Sequence, residues 1–212
     1  MSRLLLIRHG ATAWNEAGRI QGRSDPSLSP AGRAAVAAWR LPPDLQDAAQ
    51  GARWLTSPLA RARETAEILR GAPAEREPRL IETDWGAWEG RSLAELRAEL
   101  GEAMAENEAR GLDFRPAGGE SPRDVQQRLQ PLLAELAQAT KGAAGTVVGV
   151  THKGVIRAVY ALASGWDMRG KPPVKLRNAC VQCFTLGPGG HPEIETLNMS
   201  LQPSCQPSCQ SS

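Results

Sequence analysis

Apolar residues fall into short blocks along this chain, separated by longer polar and alanine-rich stretches. Arg3-Leu4-Leu5-Leu6-Ile7 is a continuous apolar run, the pattern of a strand covered on both faces. Thr146-Val147-Val148-Gly149-Val150 is the strongest such run. Arg53-Trp54-Leu55-Thr56-Ser57 reads as a strand, Pro78-Arg79-Leu80-Ile81-Glu82 as a weaker extended segment, and residues 179–186 and 193–198 as the last two strands. Between these blocks the spacing becomes helical. Ser29-Pro30 opens a helix, Ser as cap and Pro in the first turn, that runs to about Arg40 and stops before Pro42-Pro43. A second helix runs from Pro58 to about Arg70, with Gly71 as its stop. Residues 92–118 are helical in part. Ser121-Pro122 starts another helix, to about Thr140, and residues 154–164 carry Val155, Ile156, Val159 and Leu162 on one face. Strands alternating with helices predict an α/β fold with a mainly parallel sheet.

Composition narrows the function classes. A chain of 212 residues with 41% hydrophobic and 23% charged residues suits one compact domain and excludes whole-chain disorder, collagen or coiled coil. No stretch approaches the roughly 20 apolar residues of a membrane span. The run 4–7 is too short for a signal peptide, so a cytoplasmic protein is expected, with no membrane partner. A net charge of +2 argues against a strongly basic nucleic-acid binder. The charge is nonetheless uneven: residues 1–63 carry nine Arg against four acids, and residues 64–135 nine Arg against sixteen acids. Cys180, Cys183, Cys205 and Cys209 superficially match a zinc ribbon. Residues i and i+3 of a strand face opposite ways, however, so Cys180 and Cys183 are poorly placed to share an ion. Reduced thiols and no metal are expected. Residues 1–199 are expected to form the domain, and residues 200–212, rich in Pro, Ser and Gln, a disordered tail.

Three histidines occur: His9, His152 and His191. His9 and His152 each follow one of the two most apolar strands, where ligands bind in open α/β sheets. They are either two unrelated loop residues or two halves of one site. Their neighbours favour a shared site. Arg8 and Arg61 are fixed cations at strand ends, Glu82 is a carboxylate after an extended segment, and Thr12 and Asn15 add polar groups. Guanidinium forks match phosphate oxygens, an imidazole can act as nucleophile, and a carboxylic acid can protonate a leaving oxygen. His191, between Gly190 and Pro192, is expected on the surface.

These residues resemble the histidine phosphatase superfamily, also called the phosphoglycerate mutase-like family. The R-H-G-x-T-x-x-N signature is present as Arg8, His9, Gly10, Thr12 and Asn15. The S-P-L-x-R-A-x-x-T-A block runs from Ser57 to Ala66, and L-x-E-x-x-x-G-x-W-E-G is complete from Leu80 to Gly90. Gly119-Glu120-Ser121 and the second-histidine block Val150–Arg157 follow in family order. The resemblance implies a three-layer α/β/α fold with a small helical lid at about 92–118. It implies that His9 takes the phosphoryl group and that Arg8, Asn15, Arg61 and a positively charged His152 hold the phosphate oxygens. Glu82 is then general acid and later general base. Thr12, Gln21, Gly22, Trp85 and Lys153 are possible substrate contacts. No cofactor is implied, and the partners are a small phosphate ester and inorganic phosphate, in a monomer or homodimer.

Two departures matter. Lys153 stands where the family usually has Gly after the second histidine; it either adds charge near the phosphate or points to solvent. The Asp25-Pro26-Ser27-Leu28-Ser29 segment has its proline moved by one, which weakens any role for Asp25. Residues 92–115 carry six acids and three Arg, a lid expected to repel a doubly phosphorylated intermediate. That favours a metal-independent phosphomonoesterase over a phosphoglycerate mutase or a non-catalytic phosphate-binding protein. It also suggests that the rest of the substrate is not strongly anionic.

Overall fold

A computed structural model of the chain describes residues 2–139 and 145–201. The tail cysteines Cys205 and Cys209 lie outside the described residues. The elements run β1 (Ser2–Arg8), α1 (Ala13–Glu16), α2 (Pro30–Ala38), α3 (Pro43–Gln50), β2 (Arg53–Thr56), α4 (Ala60–Arg70), β3 (Glu75–Arg76), α5 (Leu93–Leu100), α6 (Glu102–Glu108), α7 (Pro122–Ala139), β4 (Thr146–Thr151), α8 (Lys153–Ser164), β5 (Cys180–Leu186) and β6 (Pro192–Ser200).

The six strands form one sheet in the order β3-β2-β4-β1-β5-β6. The pairs β3–β2, β2–β4 and β4–β1 are parallel, and β1–β5 and β5–β6 antiparallel. Alternation along β1 defines the layers. Leu4 and Leu6 pack with Val125, Leu129 and Leu133 of α7 and Val155 and Val159 of α8. Leu5 and Ile7 pack on the other face with Val36 of α2, Leu45 of α3 and Ala62 and Ala66 of α4. The sheet is therefore covered on both sides, as a three-layer α/β/α fold. A third, smaller cluster joins Trp88, Leu96 and Met104 to Trp85 and Phe114, seating α5 and α6 on the 85–88 turn.

Two segments differ from their sequence reading. Residues 78–80 form a 3-10 turn, not an extended segment. Pro78 sets the turn, and the Glu77 carboxylate accepts the Arg79 N–H at 2.9 Å while pairing with the Arg79 guanidinium. Helix α3 was not expected, because Pro42-Pro43 reads as a stop. Pro43 instead occupies the first helical position, where a missing N–H costs nothing, and Leu45 and Ala49 bury one turn apart.

Candidate active site

The C-terminal ends of β2, β4 and β1 lie side by side. Pairing continues past the strands: the His9 N–H donates to the Thr151 carbonyl at 2.9 Å and the Ser57 N–H to the Val150 carbonyl at 3.0 Å. After β1 the chain passes to the α2 face, and after β4 to the α8 face. Such a reversal opens a crevice between the two strands. His9 and His152 flank it, ring centroids 5.0 Å apart.

Hydrogen bonds order both imidazoles. His9 Nδ1 lies 2.6 Å from the Gly10 carbonyl, an acceptor, so Nδ1 carries the proton and Nε2 keeps a lone pair. His152 Nε2 lies 2.7 Å from Ser57 Oγ. With the Ser57 hydroxyl as donor, the His152 proton sits on Nδ1, a buried atom with no partner among the described residues. Burial, reinforced by Arg8 and Arg61, holds His9 well below the usual histidine range. His152 is held low by burial first, then by His9, Arg61 and Arg8. These causes act against the imidazolium expected at His152. A bound dianion acts in the opposite direction.

Arg61 is the most telling side chain. It is fully buried at 0% exposure, and it projects from α4 into the same cavity as His9. Nη1 donates to the Ser24 carbonyl and Nη2 to the Gly22 carbonyl, both at 2.7 Å, while Nε has no partner. Its ion-pair contact is long, 4.0 Å to Asp25. Arg8 likewise leaves Nε buried and unpaired, with Nη1 held 2.5 Å from Asn178 Oδ1. Two cations with buried, undirected donors face one cavity, a configuration that an anion completes.

Glu82 sits opposite, 9% exposed. Oε1 accepts the Thr83 N–H at 2.8 Å and the Gly154 N–H at 3.1 Å, so the backbone at the start of α8 aims the carboxylate. The cavity measures about 610 Å³ and is lined by Arg8, His9, Asn15, Gln21, Gly22, Arg61, Glu82, Trp85 and Lys153, among others. Nine of the expected site residues therefore meet there. His152 is fully buried, its ring centroid 5.0 Å from that of His9. Thr12 is also buried: its hydroxyl donates to Gln21 Oε1 at 2.9 Å, and its backbone N–H to Asn15 Oδ1 at 3.2 Å. Thr12 thus positions Asn15 and Gln21 and has no surface in the cavity. His191 is exposed as expected.

Three supporting residues escaped the sequence reading. Ser57 orients His152. Thr65 accepts the Gly10 N–H at 3.0 Å and donates to the Arg61 carbonyl at 2.7 Å, tying the His9 loop to α4. Glu89 accepts the N–H groups of Arg23 and Ser24 and the Ser24 hydroxyl, fixing the loop whose carbonyls hold Arg61. All three lie inside the quoted motif blocks, the only signal available. Among the described residues, no group of three or more His, Cys, Asp or Glu is arranged to hold a metal ion.

Comparison with known proteins agrees with this geometry. The family described as histidine phosphatase superfamily (branch 1) matches residues 4–200. A glucosyl-3-phosphoglycerate phosphatase from Mycolicibacterium vanbaalenii is 39% identical over 181 residues, covering 80% of this chain and 77% of its own. A 2,3-bisphosphoglycerate-dependent phosphoglycerate mutase from Methylobacterium radiotolerans is 32% identical over 197 residues, covering 88% and 91%. The solved structure of a mycobacterial glucosyl-3-phosphoglycerate phosphatase complexed with VO3 superposes with a TM-score of 0.77 at 29% identity, covering 94% of this chain and all of that one.

Proposed function

The chain belongs to the histidine phosphatase superfamily and is a phosphoric monoester hydrolase; we propose that it acts through a phosphohistidine on His9, without a metal ion, on a small phosphorylated metabolite. The buried guanidinium of Arg61, held by backbone carbonyls with only a long 4.0 Å contact to Asp25, in one cavity with the Nε2 lone pair of His9, is the observation that carries this reading. Arg61, Arg8, the Asn15 amide and His152 Nδ1 direct donors at the three non-bridging oxygens. The two guanidinium groups supply the positive charge that a metal would otherwise bring to the transition state. The His9 Nε2 lone pair forms the bond to phosphorus as the ester P–O bond breaks, and Glu82 gives its proton to the departing oxygen. Water then attacks phosphorus, its proton passing to Glu82. The N–P bond breaks, returning the lone pair to His9 and releasing inorganic phosphate.

Hydrolysis of p-nitrophenyl phosphate in EDTA tests the reading. Activity should persist with chelator and fall by roughly 10⁴-fold or more in His9→Ala. Activity lost to EDTA would overturn metal independence, and activity retained by His9→Ala would overturn the phosphohistidine. Phosphoglycerate isomerisation stimulated by the bisphosphate, outrunning hydrolysis, would replace the phosphatase with a mutase.

A further inference from the structure

Glu82 has to stand within reach of the departing oxygen, yet among the described residues its carboxylate accepts only the backbone N–H groups of Thr83 and Gly154. Its place is therefore set by the backbone on either side of it. That backbone leaves the 78–80 turn outside the sheet, so its carbonyls need other donors. Side chains supply them at three successive residues. Arg128 of α7 donates Nη1 to the Arg79 carbonyl at 2.5 Å and Nη2 to the Ile81 carbonyl at 2.7 Å. Thr151, the last residue of β4, donates its hydroxyl to the Leu80 carbonyl at 2.7 Å.

The segment after Glu82 is held from the same side. Glu120, just before α7, accepts the Asp84 N–H on Oε2 at 3.1 Å, and its own N–H donates to the Asp84 carbonyl at 2.9 Å. Glu120 also pairs with Arg128, Nε to Oε1 at 3.2 Å, and both side chains are only 18% exposed. One largely enclosed ion pair thus brackets Glu82, with Arg128 on the chain before it and Glu120 on the chain after. Arg23 reaches the same carboxylate at 2.8 Å, and Asp84 at 3.2 Å, from the loop whose carbonyls hold Arg61. Helix α7 is a firm base for this clamp, because Val125, Leu129 and Leu133 are buried against the sheet.

We propose that Arg128 and Glu120 are positioning residues for the general acid, a clamp that holds Glu82 where it can protonate the leaving oxygen. The inference rests on the phosphatase reading above and goes beyond it by naming what fixes the acid. A carboxyl displaced by the order of an ångström transfers its proton poorly. That loss matters in proportion to the need of the leaving oxygen for a proton. A phenoxide is basic and needs one; a p-nitrophenoxide leaves as a stabilised anion and needs little. Loosening the clamp therefore costs the poorer leaving group more, whereas a general loss of structure costs both esters alike.

Phenyl phosphate and p-nitrophenyl phosphate, similar in shape and different in leaving group, test it. Glu82→Gln sets the reference: its kcat/KM should fall about a hundredfold further on phenyl phosphate than on p-nitrophenyl phosphate. Arg128→Met should show the same bias at about tenfold, and Glu120→Gln, which keeps its volume, the same bias at several-fold. Melting curves accompany the kinetics, and if Arg128→Met does not fold, Glu120→Gln decides. Equal losses on the two esters in the clamp variants, with the bias present in Glu82→Gln, overturn the clamp alone. No bias in Glu82→Gln removes the acid and the clamp with it, while no turnover of either ester by the wild-type protein sinks the phosphatase reading.

Discussion

At Gly154 the absence of one methyl group decides where the Glu82 carboxylate, the proposed general acid, can lie. A Cβ there would stand 2.4 Å from Glu82 Oε1 and 2.3 Å from Thr83 Oγ1, closer than atoms approach without displacement. Both obstacles are side-chain ends, so the fold can accommodate the methyl by moving the carboxylate. Gly154→Ala should therefore cut kcat by roughly a hundredfold while moving the thermal midpoint by about 3 °C or less. Steady-state kinetics beside a melting curve checks both halves; a normal kcat would mean that the Glu82 position is not set by this contact. Residues of this kind were legible in the sequence by type but not by task. His9, Arg61 and Glu82 have chemistry that few roles other than catalysis use. Ser57 read as the last residue of a strand, yet its hydroxyl lies 2.7 Å from His152 Nε2.

Among the elements, the loop at 22–24 deserves its own test because it holds Arg61 only through backbone carbonyls. Glu89 secures that loop with three hydrogen bonds, and burial opposed by those bonds leaves its carboxyl below the ordinary range. Glu89→Gln keeps the volume but removes one acceptor oxygen and the charge. It should lower kcat/KM roughly tenfold to a hundredfold and weaken inhibition by vanadate, with the circular dichroism spectrum unchanged. Equal vanadate affinity in the two proteins would detach Glu89 from the cradle. Element prediction followed the apolar periodicity closely for β1, β4 and α7. It failed where proline was ambiguous: the same residue that ends one helix before Pro42 begins α3 at Pro43. Charge counting along residues 92–115 missed pairing across the ends of that window, where Glu99 meets Arg91 and Asp113 meets Arg123.

For the whole molecule, the buried histidines couple stability to pH. Both are depressed well below 6.5 in the fold, while in the unfolded chain they titrate near that value. Below pH 6.5 the unfolded state therefore binds more protons, and stability falls with falling pH until the folded-state values are reached. Each histidine contributes a slope of up to about 1.4 kcal/mol per pH unit in that window. Saturating phosphate places opposite charge beside both rings, raises their folded-state values and flattens the decline. Urea unfolding at pH 7.5 and 5.5, with and without phosphate, should show this, and His9→Gln should have a shallower slope than wild type. Identical slopes would mean that the rings are already protonated in the fold. The strand order carries a consequence for how the chain is made. β4 inserts between β1 and β2, both of which precede it by some 90 residues or more. A nascent chain emerging from the ribosome thus holds His9 and Arg61 long before the strand that brings His152 and closes the gap. A fragment ending before β4 lacks the strand that joins β1 to β2, so protection from proteolysis by phosphate, if it follows the proposed site, should arise only once translation has supplied the middle of the sheet.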